Sequence, residues 1–288
     1  MAYSHIHNAD MDIFEETVRF FERWKREKKI IGYSAFGREI FAVKIGEGSP
    51  VGIAQYSIHG REFITTKLAF LHAKRGVNHG SVWILPLTNP DGALLSQKGL
   101  SSVYDGGMKG YLLSLNGKRD FSLWKANGKG VDLNVNFDAD WGTGKYNVFT
   151  PSSENFVGER PFSEPETQAL KRFTLEVSPD YTVSYHTKGE EIYWLYNQTG
   201  GRRKRDEKLA TVLSKATGYP LKETLGSVGG YKDWCISKLK TPAFTVEIGK
   251  DEYAHPIGFD KTLLLYERNK DALERISAVC ERKEENEF

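Results

Sequence analysis

Two cysteines, Cys235 and Cys280, are the only thiols in 288 residues. So few exclude a disulfide framework, and scattered cysteines read most simply as reduced thiols in a reducing compartment. No run approaches the roughly 18 apolar residues that a membrane helix needs. The polar opening Met-Ala-Tyr-Ser-His-Ile-His-Asn has no basic segment followed by an apolar one, so no leader is read and the protein is expected to be cytoplasmic, with no membrane partner. Neither sign of charge dominates: 40 Lys and Arg face 38 Asp and Glu, a net +2. That balance, with no recognised nucleic-acid module, argues against a nucleic-acid partner. The basic run Arg202-Arg-Lys-Arg205 reads as a solvated face. There is no internal repeat, low-complexity tract or linker, so residues 1–288 read as a single domain.

What is present is ample core material, with 39% hydrophobic and 27% charged residues. Phe14, Val18, Phe21 and Trp24 recur at helical spacing over 11–24. Two β-rich runs between Ile31 and Ile45 flank Gly37, which predicts a hairpin. Strands are expected at Val51–Ile58, Ser81–Pro86, Tyr181–Tyr185 and Ala243–Glu247. Helices are expected near Phe63–Lys74, Glu164–Leu175, Arg203–Thr217 and Lys261–Cys280, with Ser163 and Glu166 fitting a capping box. Strands alternating with helices predict an α/β fold with a mostly parallel or mixed sheet covered on both faces. Residues 99–160 are rich in Gly, Asn and Ser and read as long loops, which in compact domains are often functional.

The chemistry concentrates where apolar runs end. His59-Gly-Arg-Glu62 follows one run and His186 another. Open α/β sheets gather their sites at carboxyl ends of strands. Two imidazoles and one carboxylate form a zinc donor set that leaves a fourth position open. Taken singly, the His-x-x-Glu spacing also fits a surface pair, and His186 also fits a satisfied core histidine. Glu247 ends Ala243-Phe-Thr-Val-Glu247 among apolar neighbours. It is either a functional carboxylate or an edge residue facing water. His5 and His7 read as exposed, and His72 and His79 as structural. His255 borders the region without a role.

These pieces resemble the zinc carboxypeptidase family over nearly the whole chain. The matching segments come in family order: Ile58-His-Gly-Arg-Glu-Phe-Ile-Thr65, Asn89-Pro-Asp-Gly92, Gly130-Val-Asp-Leu-Asn-Val-Asn-Phe-Asp138, Pro161-Phe-Ser-Glu-Pro-Glu-Thr167, Ser184-Tyr-His186, Gly229-Gly-Tyr-Lys-Asp-Trp234 and Thr245-Val-Glu-Ile-Gly249. The resemblance implies a twisted mixed sheet of about eight strands with helices on both faces. It implies one zinc ion held by His59, Glu62 and His186, with Glu247 as the general base on zinc-bound water. Asp132 falls where the family hydrogen-bonds its first ligand histidine. Asn134 falls where the family binds the substrate's terminal carboxylate.

Departures from the family pattern narrow the substrate. Val135 stands where carboxypeptidases place an arginine, and valine makes no bidentate pair with a carboxylate. Lys125 stands for the transition-state arginine and would stabilise an oxyanion as a point charge. The family's moving tyrosine falls near Leu225, with Tyr231 nearby but unaligned. Lys232 takes the position that sets the pocket for the leaving residue, where it either meets an acidic group or is simply solvated. The segments His186-Thr-Lys-Gly-Glu-Glu-Ile-Tyr-Trp194 and Trp124-Lys-Ala-Asn127 resemble the bacterial γ-D-glutamyl-L-diamino acid peptidases. These cut murein stem peptides between D-Glu and meso-diaminopimelate. The expected partner is therefore a murein stem peptide. The rival readings are a carboxypeptidase acting on ordinary peptides and a non-catalytic binding module on the same fold.

Overall fold

The computed structural model describes residues 11–223 and 228–280. Its strands are β1 (Lys28–Tyr33), β2 (Glu39–Gly46), β3 (Val51–Tyr56), β4 (Ser81–Leu85), β5 (Tyr181–His186), β6 (Glu191–Tyr193), β7 (Leu221–Lys222) and β8 (Ala243–Glu247). They form a sheet in the order β1-β2-β4-β3-β5-β8-β6-β7. The central strands β4, β3, β5 and β8 run parallel, whereas β1, β2 and β6 join antiparallel. The helices are α1 (Ile13–Arg23), α2 (Ile64–Arg75), α3 (Pro90–Lys98), α4 (Gly106–Asn116), α5 (Pro165–Val177), α6 (Gly200–Thr217), α7 (Tyr231–Ser237), α8 (Thr262–Asn269) and α9 (Ala272–Val279).

Side chains alternate across a strand, and this divides the core into two layers. From β3, Ala54 and Tyr56 pack with Leu68 of α2, Leu209 of α6 and Ile276 of α9. Ile53 of the same strand packs the other way, with Leu170 and Phe173 of α5 and Trp234 of α7. Both faces are covered, which is why the parallel strands read as continuous apolar runs. Cys280 belongs to the first layer and Cys235 to the second. No helix among the described residues is long and apolar enough to cross a membrane.

The hairpin about Gly37 and the predicted core strands form close to their expected bounds. Three expectations need correction. Ser163 and Glu166 do not make a capping box. Pro165 occupies the first helical turn, where its missing N–H is harmless, and Glu164 is the cap. Glu166 instead turns inward and accepts from the Ala35 amide at 2.9 Å. The helix expected over 261–280 is two, because the Asn269 carbonyl faces His72 Nε2 at 3.1 Å where the chain turns. The stretch 99–160 is not all loop. It contains α4, whose signal was hidden by Gly106, Gly107 and Gly110, residues unfavourable in helices. The elements α3, α7, β6 and β7 carried no recognised pattern.

Candidate metal centre and cleft

The order β3-β5-β8 places three parallel carboxyl ends side by side. Tyr56 pairs with Tyr185, and His186 with Glu247. His59 and Glu62 follow β3 through a 3₁₀ turn at Gly60–Glu62. The strand order switches here, since β4 lies on one side of β3 and β5 on the other, and such a switch point is the crevice where open α/β sheets hold ligands.

The turn carrying His59 is fixed by a polar lattice. Ser57 donates its amide to Thr65 Oγ1, which donates to the Glu62 carbonyl, each at 2.9 Å. Asn89 donates Nδ2 to the carbonyls of Ile58 and Ala126 and accepts from the Gly92 amide. Gly60 donates its amide to the Lys125 carbonyl at 2.9 Å. A Cβ at Gly60 would lie 2.4 Å from the Gly92 carbonyl oxygen and 2.8 Å from that of Trp124, so only glycine fits. The metal motif, the Asn89-Pro-Asp-Gly92 segment and the Lys125 segment thus brace one another.

Within this frame three donor atoms converge. His59 Nδ1 lies 2.8 Å from Glu62 Oε1, and His186 Nδ1 lies 3.1 Å from Glu62 Oε2 and 3.2 Å from His59 Nδ1. All three residues are buried. A tetrahedral cation with bonds of about 2.0–2.1 Å separates its ligands by about 3.3 Å, and the observed spacings fit that. Two imidazoles and a carboxylate are also the donor types zinc takes in catalytic sites, with one position left over. Behind His59, Asp132 Oδ1 stands 3.3 Å from Nε2, the carboxylate–histidine arrangement that aims the other ring nitrogen at a metal.

Charge accumulates around these donors. Burial pushes the Glu62 carboxyl up, but His59 and His186 outweigh it and hold it well below the usual range. Burial lowers His59, and the carboxylates of Glu62 and Asp132 more than reverse this. Asp132 is resisted by burial yet held low by Lys125 and His59. Glu247 behaves oppositely. Burial pushes it up to about 8; His186 and Lys125 oppose the shift, and Glu62 and Glu191 reinforce it. Such a carboxyl can both hold and release a proton near neutrality.

A cavity of about 180 Å³ opens on the centre, lined among others by His59, Lys125, Asn134, Val135, His186 and Glu247. Lys125 pairs with Asp132 Oδ2 at 2.9 Å. Asn134 accepts from the Tyr231 amide at 3.2 Å. Tyr231 and Lys232 are not drawn into the cavity. The Tyr231 hydroxyl is buried against Thr174 Oγ1 at 2.8 Å. The Lys232 ammonium meets Asp233 Oδ1 at 2.5 Å and the Leu195 carbonyl at 3.2 Å. Position 225, like His5 and His7, lies outside the described residues. Tyr146, Asn147 and Asn155 line the same cavity, and the aperiodic stretch 99–160 that holds them carries no sequence signal for it. Glu191, in the segment His186–Trp194, stands directly across from Glu247 in the register.

The chain is similar to known proteins in sequence and in fold. The chain is 31% identical over 247 residues to γ-D-glutamyl-L-diamino acid endopeptidase 1 of Lysinibacillus sphaericus, a match covering 79% of this chain and 61% of that protein. It thus spans about three fifths of that relative's length. Murein peptide amidase A of Escherichia coli K12 is 32% identical over 161 residues, covering 52% of this chain and 62% of the relative. Solved structures share the fold, among them two that illustrate its range. Bovine thrombin-activatable fibrinolysis inhibitor aligns with TM-score 0.73 at 18% identity, over 93% of this chain and 96% of the other. The murein-tripeptide amidase of Escherichia coli O157 aligns with TM-score 0.61 at 23% identity, over 90% and 95%. The family model described as zinc carboxypeptidase matches residues 25–264, and with the His-Glu-His centre in place this chain belongs to that family of zinc metallopeptidases.

Proposed function

We propose that the protein is a single-domain bacterial zinc peptidase that hydrolyses the amide bond between γ-D-Glu and meso-diaminopimelate in murein stem peptides. One observation carries this reading above the others. The cavity presents Val135 beside Asn134 and next to the metal centre, so no guanidinium fork is offered there to a free terminal carboxylate. A diaminopimelate that continues into D-Ala has no free α-carboxylate and needs no such clamp. The relative named as a γ-D-glutamyl-L-diamino acid endopeptidase supports the same substrate class. A reducing bacterial cytoplasm accords with the sparse cysteines.

His59, Glu62 and His186 would hold the ion. Zinc, when bound, supplies a Lewis acid for the scissile carbonyl and lowers the pKa of water towards about 7. The remaining work falls to the chain. Glu247 accepts the proton of the attacking water as its oxygen adds to the carbonyl carbon. The same carboxyl then returns that proton to the departing nitrogen as the C–N bond breaks. Lys125, held by Asp132, places a positive charge where the oxyanion develops. Asn134, steadied by the Tyr231 amide, binds the residue that leaves. Lys232 acts from behind this wall through Asp233, whose Oδ2 accepts from the Gly230 amide at 3.2 Å.

The test is mass spectrometry of L-Ala-γ-D-Glu-meso-diaminopimelate incubated with zinc-loaded protein. Release of diaminopimelate and L-Ala-D-Glu is expected. An intact tripeptide, together with trimming of ordinary peptides at their C-termini, would assign the protein to carboxypeptidase action instead.

A further inference from the structure

The loop 141–157 supplies a wall of the cavity that none of the family segments includes. Tyr146, Asn147 and Asn155 all line it. The loop is pinned at several points. Val148 and Phe156 form a parallel bridge, with the Val148 amide donating to the Asn155 carbonyl at 3.0 Å and the Val157 amide to the Val148 carbonyl at 3.2 Å. Trp141 Nε1 donates to the Val157 carbonyl at 2.9 Å. The Asn147 amide donates to the Gly144 carbonyl at 3.1 Å. Asn155 has φ of 64°, a left-handed conformation that asparagine tolerates better than most residues. That bend lets its amide donate to Asp132 Oδ2 at 3.1 Å. The wall is therefore fastened to the carboxylate that also holds His59 and Lys125.

On this wall Asn147 Nδ2 is buried and has no partner among the described residues. A buried donor without a partner is unfavourable, and sites built to pair such a donor select ligands that bring the acceptor. The uncharged polar residues lining the cavity are also distinctive. Three of them are asparagines, Asn134, Asn147 and Asn155, with Tyr146, beside a Lys125 ammonium already engaged by Asp132.

We infer that Asn147 is a specificity-determining residue whose carboxamide donates a hydrogen bond to a carboxyl or amide oxygen of the substrate residue on the amine side of the scissile bond. The inference rests on the peptidase reading above and takes Asn147 as a partner to Asn134 in place of the missing arginine. A neutral donor suits an acceptor that is present in both an amide and a carboxylate. It therefore tolerates a substrate that continues past the cleavage point.

The test compares wild type with Asn147→Ala and Asn147→Asp on the tripeptide and on a C-terminally free ordinary peptide, using whichever wild type hydrolyses faster. For Asn147→Ala, KM is expected to rise about tenfold, the scale of one hydrogen bond. The value of kcat should change by less than about twofold, and the melting temperature should stay put, since the side-chain Nδ2 holds no hydrogen-bond partner among the described residues. Asn147→Asp, which turns a donor into an anion, should raise KM further. Unchanged KM in both variants overturns the inference. So does a fall in melting temperature and kcat together at constant KM, which would make Asn147 a mere loop support. Failure of wild type to cut the tripeptide refutes the substrate reading alone, because the Asn147 comparison is then read on the ordinary peptide.

Discussion

Asp132 holds Lys125 through an ion pair of 2.9 Å from one carboxylate oxygen, while its other oxygen stands 3.3 Å from His59 Nε2. A single fully buried carboxylate thus aims both a metal ligand and the cation beside it. Removing its charge should disturb both. Asp132→Asn is expected to weaken zinc binding about 10–100-fold, the usual cost of losing such a partner. Turnover should fall further than metal loss explains, since Lys125 loses its restraint. Zinc competition with a chromophoric chelator, followed by kcat at saturating zinc, separates the two effects. A variant with wild-type affinity and rate would remove Asp132 from this role.

Glu247 is expected to matter to the rate and not to the metal. It faces the cavity but is not one of the converging donors. Glu247→Gln should lower kcat by about 10²–10⁴, the range for losing a general base, while zinc stoichiometry stays at one. Zinc should also raise the melting temperature of wild type and variant alike, because an ion that binds only the folded state stabilises it. Chelation should abolish hydrolysis in wild type and reverse that thermal shift.

Much of this centre was legible in the sequence because β-strands announce where they stop. In Val51–Ile58 and Tyr181–Tyr185 the apolar runs end at His59 and His186, and parallel pairing then brings the two ends together. The walls were not legible. Asn147 and Asn155 meet the cavity through a bridge between Val148 and Phe156, a tertiary pairing with no periodic trace. The direction of Lys232 was not legible for a related reason. The sequence showed a cation in the right segment, but the direction of its side chain was set by Asp233 and the Leu195 carbonyl. Glu166 likewise fits a capping box in the sequence, but Glu164 is the cap, Pro165 opens the helix and the Glu166 carboxyl is drawn inward.

That inward turn has a consequence for stability. Glu166 is buried near Asp91 and Glu164, with the Ala35 amide and Asn127 Nδ2 as donors. Burial first, then the neighbouring Asp91 carboxylate, pushes it up to about 8. Arg38 meets Asp91 at 2.6 Å, leaving Glu166 without a cation of its own among the described residues. A carboxyl whose folded pKa lies above its unfolded value stabilises the fold fully below the unfolded pKa, near 4.5. That contribution drains away as pH rises towards 8, at about 1.4 kcal/mol per pH unit. Wild type should therefore lose melting temperature between pH 5 and 8 more steeply than Glu166→Gln, in which the remaining oxygen can still accept from Ala35. Parallel melting curves for the two proteins across this range would show that Glu166 is not the group responsible.

Val135 offers a test by gain of function. It lines the cavity next to Asn134, where a guanidinium would form two parallel hydrogen bonds to a free carboxylate. Val135→Arg is expected to shift preference towards peptides with a free C-terminus. The ratio of kcat/KM for a free peptide over its C-terminal amide should rise at least about tenfold, corresponding to one added charge-assisted contact. Hydrolysis of a murein tetrapeptide, in which diaminopimelate is followed by D-Ala, should fall at the same time, because the new cation has no carboxylate to meet at that position and fills the space the peptide crosses. Paired rates for the free peptide, its amide and the tetrapeptide decide the matter. If Val135→Arg keeps the wild-type ratio, the absence of arginine at 135 is not what sets the substrate, and selection must lie in the carboxamide wall formed by Asn134, Asn147 and Asn155.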